Sequence, residues 1–281
     1  MTCDAPRRVL ILGNSHIAAV KSAYAAAPER WPGLAAGFAG GHGDALARLE
    51  VEAGRLVPRS EAARGNLRLL NRREDWALAD YEAFVVVGCQ VGIYRALVPY
   101  RSTRFLGLPS VAQAEAPAAV PVSRGMFALA VQDEVARSMG GALALRILAG
   151  VQAEGRVAQV MLAEQPRPSF DCRKARGRFS GLLRAHRVGD GAALAELFEA
   201  AAGKALPGVT LLSQPEHTRH GGLFTQPRFS VGSVRLTAAH RQVAHAEDDF
   251  LHANPDYGAL VLDQIAAAVQ ASPGTGVSPR L

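Results

Sequence analysis

One short apolar run near the start of the chain, residues 9–12 (VLIL), constrains the fold more than any other feature. The run follows Arg7 and Arg8 and ends at Gly13, after which helix-like sequence begins. An apolar run of this length without polar alternation is typical of a strand buried on both faces of a parallel sheet. Ser15 would then lie between the first strand and the first helix, where open α/β sheets bind ligands and backbone N–H groups favour negative charge. Serine is also a good helix N-cap, so the turn alone does not distinguish capping from chemistry.

Four further strand-like runs alternate with helix-like segments along the chain. The strands are predicted at about 8–13, 36–39, 83–88, 158–163 and 208–212, and the helices at 16–27, 125–153, 191–204 and 255–270. The segment 125–153 fits one long helix or two helices broken near Gly140-Gly141. Strands that alternate with helices predict an α/β protein, with three α/β/α layers around a mainly parallel sheet of about five strands.

Two segments interrupt this alternation. Residues 51–70 resemble a hairpin-like insertion, and residues 93–123 contain four prolines and few periodic apolar positions. Long loops of this kind often act as lids or binding loops, so both segments are candidates for shaping a pocket. We expect one domain over residues 1–270, followed by a flexible tail at 271–281.

Composition excludes several classes of protein. Of the 281 residues, 49% are hydrophobic and 20% charged, with a net charge of +6, which suits one large globular domain. Arginines are scattered and aromatics make up only 6%, so the sequence does not indicate nucleic-acid binding. It has no apolar run of membrane-spanning length and no signal-peptide pattern, which argues against a membrane protein. The odd cysteine count, without metal-type spacing, favours a reducing compartment, and we expect a cytoplasmic protein.

A base and its orienting group for Ser15 occur near the other end of the chain. Asp249 and His252 lie three residues apart, directly before the last predicted helix. On a turn that enters a helix, this spacing places both side chains on one side. The carboxylate can then hold the imidazole in one tautomer while its other nitrogen faces the serine. The sequence therefore predicts a catalytic triad of Ser15, His252 and Asp249.

With these residues in place, the chain resembles the SGNH or GDSL-type hydrolase superfamily. The Gly13-Asn14-Ser15 turn matches the family's first block, and Asp249-x-x-His252 matches its last block, with Asn254 and Tyr257-Gly258 following. The resemblance covers roughly residues 8–270. It implies a flavodoxin-like α/β/α fold and a serine esterase.

The resemblance also implies an oxyanion hole. Its donors would be the Ser15 N–H, a glycine of residues 40–43 taken as Gly41, and a side-chain amide after the third strand. At that last position Gln90 stands where the family has asparagine. Glutamine is one methylene longer, and an oxyanion donor must reach hydrogen-bond distance.

Four further residues are candidates for contacting the substrate. Asn14 and His16 flank the serine, Gly88 precedes Gln90, and Arg167 follows the fourth strand at the sheet edge. The expected substrate is a short-acyl or O-acetyl ester of a carbohydrate or small metabolite. We expect no cofactor and no metal, and the sequence does not indicate an oligomeric state.

Three alternatives stay open at the level of sequence. Gln90 and the proline-rich segment 93–123 also suit an acyltransferase or cyclising biosynthetic enzyme that uses the same triad. A non-catalytic ligand-binding protein with an inherited fold is the second alternative. A catalytic metal is the third, because several histidines and acids gather late in the sequence: His217, His220, His245, Glu247, Asp248, Asp249 and His252.

Overall fold

A computed structural model describes residues 5–113, 119–175, 177–237 and 242–271. The predicted tail at 271–281 lies outside the described residues, apart from Ala271. The strands are β1 (Arg7–Gly13), β2 (Leu34–Gly40), β3 (Leu49–Glu52), β4 (Arg55–Pro58), β5 (Trp76–Ala77), β6 (Ala83–Val87), β7 (Thr103–Phe105), β8 (Val120–Val122), β9 (Gln159–Ala163), β10 (Val209–Leu212), β11 (Arg219–His220), β12 (Phe224–Thr225), β13 (Val234–Leu236) and β14 (Gln242–Ala244). The helices are α1 (Ile17–Ala26), α2 (Glu61–Asn71), α3 (Tyr94–Tyr100), α4 (Pro109–Ala112), α5 (Arg124–Ala136), α6 (Met139–Ala153), α7 (Ser180–Arg187), α8 (Gly191–Ala205) and α9 (Pro255–Ala271).

The five predicted strands form one parallel sheet in the order β10-β9-β6-β1-β2. Counted along the chain, this is the order 2-1-3-4-5 of a doubly wound sheet. In such a sheet, ligands bind outside the carboxyl ends of the strands, where the winding direction reverses. That point lies between β1 and β6, so the turn after β1 is placed where a ligand is expected.

Alternating side chains of the sheet enter two separate cores. Leu10, Leu12 and Phe84 face the core built with α3, α5, α6 and α8. Val9, Ile11 and Val85 face the core built with α1 and α9. Because both faces are covered, β1 and β6 are apolar throughout their buried length, and the mixed α/β architecture in three layers agrees with the prediction.

The segment predicted as one or two helices contains two. The helical conformation is interrupted at residues 137–138, just before the predicted glycines. Ser138 caps α6, because its Oγ accepts a hydrogen bond from the Gly141 N–H at 3.0 Å. The N-cap, and not the conformational freedom of glycine, therefore determines where the second helix begins.

Both predicted insertions contain more regular structure than expected. Strands β3 and β4 form the predicted hairpin within 51–70, but the second half of that segment is helix α2. Ser60 caps this helix, and Ala63, Leu67 and Leu70 provide its buried face at helical spacing. The segment 93–123 contains α3, β7, α4 and β8 among its described residues, so it holds more regular structure than its prolines indicate. In the described part of the chain, every helix is too short or too polar to cross a membrane.

Candidate active site

Packing between α1 and α9 brings the two ends of the chain together. Gly258, in the first turn of α9, lies against the Ala19 carbonyl of α1, where a Cβ atom would clash with the backbone. This close approach holds the loop before α9 next to the turn after β1. Ser15 and His252 therefore meet at the carboxyl edge of the sheet.

Ser15, His252 and Asp249 form a continuous hydrogen-bonded chain. Ser15 Oγ lies 2.8 Å from His252 Nε2, and His252 Nδ1 lies 2.8 Å from Asp249 Oδ2. The other carboxylate oxygen accepts the backbone N–H groups of Leu251 at 2.9 Å and His252 at 3.1 Å. Burial raises the pKa of Asp249, but hydrogen bonds from Leu251 and His252 outweigh it and hold the pKa below its ordinary value. The carboxylate is thus fixed in its charged form beside the imidazole.

A second histidine, His245, shares the carboxylate of the triad. Its ring stacks on His252 with centroids 4.0 Å apart and an interplanar angle of 9°. Its Nδ1 lies 2.9 Å from Asp249 Oδ2, the same oxygen that His252 contacts. Burial, followed by the proximity of His252, lowers the pKa of His245. A neutral His245 donates through Nδ1, and its buried Nε2 has no hydrogen-bond partner among the described residues.

His16 also packs against His252 instead of facing a ligand. The two ring centroids are 4.9 Å apart, and the side chain is buried. Burial and the neighbouring His252 lower the pKa of His16 to about 3, so its ring is neutral at ordinary pH. His16 is not among the described residues that line the cavity at Ser15. His16 therefore lies beside His252, and its contact with a substrate stays a prediction.

His245 was not predicted as a partner of Asp249, although its spacing from Asp249 indicates one. It precedes Asp249 by four residues, so the two form an i, i+4 pair that was interpreted only as part of a metal cluster. The structure does bring His245, Asp249 and His252 within metal-ligand distance of one another. His217 and His220 lie elsewhere, next to Phe229 and Phe170 respectively. The larger predicted metal cluster is therefore not assembled.

The predicted oxyanion donor Gly41 is already engaged. Its N–H donates to the Gly13 carbonyl at 3.1 Å, which extends the pairing of β1 with β2. The neighbouring N–H groups of Gly40 and His42 donate to the side-chain oxygens of Asn71 and Asn66. The prediction for Gly41 is therefore wrong, because its N–H already donates its only hydrogen within the protein.

Two other donors at the serine are available. The Ser15 N–H and the Asn14 side-chain NH2 have no hydrogen-bond acceptor among the described residues, and both residues line the cavity. Asn14 is held in place because its Oδ1 accepts from the backbone N–H groups of His16 at 3.3 Å and Cys89 at 3.4 Å. Because these bonds fix the oxygen, they also fix the direction of the NH2 group, which has no acceptor among the described residues. Asn14 therefore remains a candidate for substrate contact.

Gln90 lies in an unusual backbone turn next to the site. Gly88, Cys89 and Gln90 all have positive φ, at +70°, +48° and +68°. The exposed Gln90 side chain accepts a hydrogen bond from Arg95 at Oε1 and, together with Gly43, lines a cavity separate from the one at Ser15. No contact among the described residues brings its amide to Ser15, so its oxyanion role stays a prediction.

The remaining residues of this turn are structural. A Cβ atom on Gly88 would lie 2.9 Å from Asn14 Oδ1 and 3.0 Å from His16 Cβ, so this buried glycine supports both residues and does not line the cavity at Ser15. Burial raises the pKa of the Cys89 thiol to about 12, which keeps it protonated and unsuited to act as a nucleophile.

The structure contradicts a substrate-binding role for Arg167. Its side chain is fully buried, and its guanidinium forms ion pairs with Glu164 at 3.1 Å and Glu199 at 2.7 Å. The remaining nitrogen donates to the Gly222 carbonyl. All of its nitrogens are therefore used inside the protein. It follows a strand at the correct edge of the sheet, but it points into the fold.

A small cavity of about 30 Å³ opens beside Ser15. Its polar or charged wall is formed by Asn14, Lys21, His42, Asn71, Arg235 and Thr237. Burial lowers the pKa of Lys21. By size, such a cavity holds about two water molecules.

Comparison with known proteins gives no family for this chain. A scan against protein-family models found no match, and a search of curated proteins found no significant relative.

Proposed function

We propose that this protein is a serine hydrolase of the SGNH type that cleaves a short-acyl ester through an acyl-enzyme on Ser15. The observation that carries the proposal is the pair of 2.8 Å contacts that join Ser15 Oγ to His252 and His252 to Asp249. A serine activated by a base, with that base oriented by a third group, is the arrangement that nucleophilic acyl transfer needs.

The protons can be followed through one catalytic cycle. His252 donates its Nδ1–H to Asp249, so Nε2 is free to accept the proton of the Ser15 hydroxyl as Oγ attacks the acyl carbon. The imidazolium then returns that proton to the leaving alkoxide, which leaves an acyl ester on Ser15. A water molecule, deprotonated by His252, attacks the acyl carbon. The bond to Ser15 Oγ then breaks, His252 returns the proton to Oγ, and the acid is released.

The tetrahedral intermediate needs donors for its oxyanion. We assign this role to the Ser15 N–H and the Asn14 NH2, since both line the cavity and neither has an acceptor among the described residues. This replaces Gly41 and does not require Gln90. The turn lies at the start of α1, where the helix dipole also favours developing negative charge.

The small cavity supports a short acyl group. A cavity with room for about two water molecules favours a two-carbon acyl chain over a long one. The expected order of reactivity is therefore acetyl above butyryl above octanoyl.

Labelling and turnover with the purified protein test the proposal. We expect wild type to be labelled by a fluorophosphonate probe and to hydrolyse an aryl acetate, and Ser15→Ala to lose both. Ser102→Ala, at an exposed serine outside the site, serves as the matched control and should keep both. Absence of labelling in wild type, or labelling that survives Ser15→Ala, would contradict the proposal.

The two candidate oxyanion donors can be compared in the same assay. Asn14→Asp keeps the acceptor oxygen but removes the NH2 donor, and we expect a loss of kcat of about 10²-fold or more. Gln90→Ala should change kcat by less than about threefold, because the Gln90 side chain contacts Arg95 and lines a cavity other than the one at Ser15. The opposite ranking would return the oxyanion role to Gln90.

A further inference from the structure

A second, larger cavity of about 780 Å³ lies between α3 and α7. Five of its lining residues are arginines, and the described part of its wall contains no aspartate or glutamate. The arginines are Arg95, Arg101, Arg104, Arg178 and Arg184. A concave surface lined by charges of one sign concentrates ligands of the opposite sign.

Most of this positive charge has no ion-pair partner among the described residues. Arg101, Arg178 and Arg184 form no ion pair with any carboxylate of the described residues. Arg95 differs, since it pairs with Glu134 at 3.3 Å. The cavity therefore has at least three guanidinium groups without a carboxylate partner.

Arg104 differs from the surface arginines because it lines the cavity from within the fold. Its side chain is only 6% exposed, and its Nε has no hydrogen-bond partner among the described residues. The nearest carboxylate oxygen, Asp190 Oδ2, is 4.0 Å away and already accepts from the hydroxyls of Tyr100 and Ser110. A buried cation with an unused donor gains most from an anion in the cavity.

The first turn of α7 adds backbone donors to the same wall. Gly181 and Leu182 line the cavity, and their N–H groups have no acceptor among the described residues. No acidic side chain occupies this turn. Free N–H groups at the start of a helix favour an anion, and they converge here with the arginines.

Two contacts link the wall of this cavity to segments that flank the triad. Arg95 donates to both the carbonyl and the side-chain oxygen of Gln90, next to the Asn14 turn. Phe179, on the opposite wall, packs edge-on against Phe250 with ring centroids 6.4 Å apart, and Phe250 directly follows Asp249. The arginine-lined cavity is therefore connected, through Gln90 and Phe250, to the loops that carry the site at Ser15.

We propose that the arginine-lined cavity binds phosphoryl groups, and that it holds the phosphorylated alcohol part of the ester cleaved at Ser15. Guanidinium forks bind phosphate oxygens in pairs, and several uncompensated arginines suit a ligand with more than one negative charge. The anion site stands without the proposed hydrolase function. Only its proposed role in holding part of an ester substrate rests on that function.

Calorimetric titration of the full chain with inorganic pyrophosphate at low ionic strength tests the anion site. We expect one site per chain in wild type and in Ser15→Ala. Arg101→Gln and Arg184→Gln should each raise the Kd about tenfold, the effect of losing one charge-assisted hydrogen bond. Arg178→Gln has a matched control in Arg228→Gln, because each is an exposed arginine placed over a neighbouring phenylalanine without a carboxylate partner. Only the first should weaken binding.

Several outcomes would overturn the proposal. They are no binding at millimolar pyrophosphate, equal weakening by Arg228→Gln, and tighter binding of citrate, which carries carboxylates only. Substrate assignment is tested separately with an O-acetylated nucleoside monophosphate and the matching O-acetylated nucleoside. We expect wild type to prefer the phosphorylated ester and the cavity variants to cleave the two esters at equal rates. Equal cleavage of both esters by wild type would refute the substrate assignment, whereas cleavage of no ester would refute the hydrolase and leave the binding result intact.

Discussion

Two clusters of charged residues lie near the carboxyl edge of the sheet, and they have opposite fates. In the first, Asp249 holds His252 and His245, and the chain of contacts ends at a serine that faces a cavity. In the second, Arg167 lies between Glu164 and Glu199, and its side chain is entirely enclosed. Both positions looked like site residues from sequence, since each follows or precedes an element at the ligand-binding edge.

The difference lies in what each cluster leaves unused. Every nitrogen of the Arg167 guanidinium has a partner inside the protein, so nothing remains for a ligand. In the Asp249 cluster the hydrogen bonds run in one direction and leave a basic nitrogen directed at Ser15. A position at the carboxyl edge of the sheet therefore makes a residue a candidate for the site. Whether it can act on a ligand depends on whether its hydrogen-bonding atoms are already paired inside the protein.

The largest expected effect is on catalysis by the first cluster. We expect Asp249→Asn to lower kcat on the order of 10³- to 10⁴-fold, because an amide no longer fixes His252 in the tautomer that accepts the serine proton. Asp248→Asn, at the exposed neighbouring acid, should leave kcat unchanged. Steady-state kinetics with an aryl acetate measure both, and equal losses in the two variants would remove the distinction.

The second cluster should respond in stability instead. Arg167→Met leaves Glu164 buried without its cation, and we expect the free energy of unfolding to fall by about 3–5 kcal/mol. Arg124→Met breaks an exposed pair with Glu196 and should cost less than about 1 kcal/mol. Urea unfolding of the two variants gives these values. Near-wild-type stability of Arg167→Met, with a specific rise in KM, would instead place Arg167 in substrate binding.

The buried, neutral His16 beside His252 should make the free energy of unfolding depend on pH. Folding lowers the pKa of His16 from 6.5 to about 3, so the unfolded chain binds a proton that the folded protein rejects between these values. Stability is therefore expected to fall as the pH drops below 6.5, by up to about 1.4 kcal/mol per pH unit from this group. His16→Phe should flatten the slope, whereas His217→Phe, at an exposed histidine, should not. Urea midpoints between pH 7 and 4.5 provide the comparison, and equal slopes in both variants would contradict it.

The smallest effect concerns the second donor to Asp249. His245→Phe keeps a ring against His252 but removes the hydrogen bond at Asp249 Oδ2. His252 keeps its own contact with the same oxygen at 2.8 Å, so the triad stays connected. We expect kcat with an aryl acetate to fall by about tenfold or less, the effect of losing one hydrogen bond to a charged group. A loss of kcat as large as that of Asp249→Asn would instead make His245 as necessary as the carboxylate it contacts.

The five strands of the sheet and the Asp249–His252 pair were predictable from local pattern. Each strand is a short apolar run whose side chains enter both cores, and Asp249 and His252 lie close together in the sequence. Helix α2 was missed although Ala63, Leu67 and Leu70 repeat at helical spacing after the Ser60 cap, because the preceding hairpin dominated the interpretation of 51–70. The break before α6 was displaced because a capping serine, not a glycine pair, begins the helix.

The sequence by itself determined the alternating α/β order and the close spacing of Asp249 and His252, since apolar periodicity and short spacings are local properties. Only the packing of α1 against α9 brings Ser15 to His252. Only the tertiary structure decided that Gly41 is engaged, that Arg167 points inward and that His245 shares the carboxylate of Asp249. It also decided that arginines from α3, α7 and their flanking segments enclose one cavity. These outcomes depend on which hydrogen-bonding atoms remain unpaired and uncovered after residues far apart in the chain have packed together. Neither composition nor spacing encodes that property.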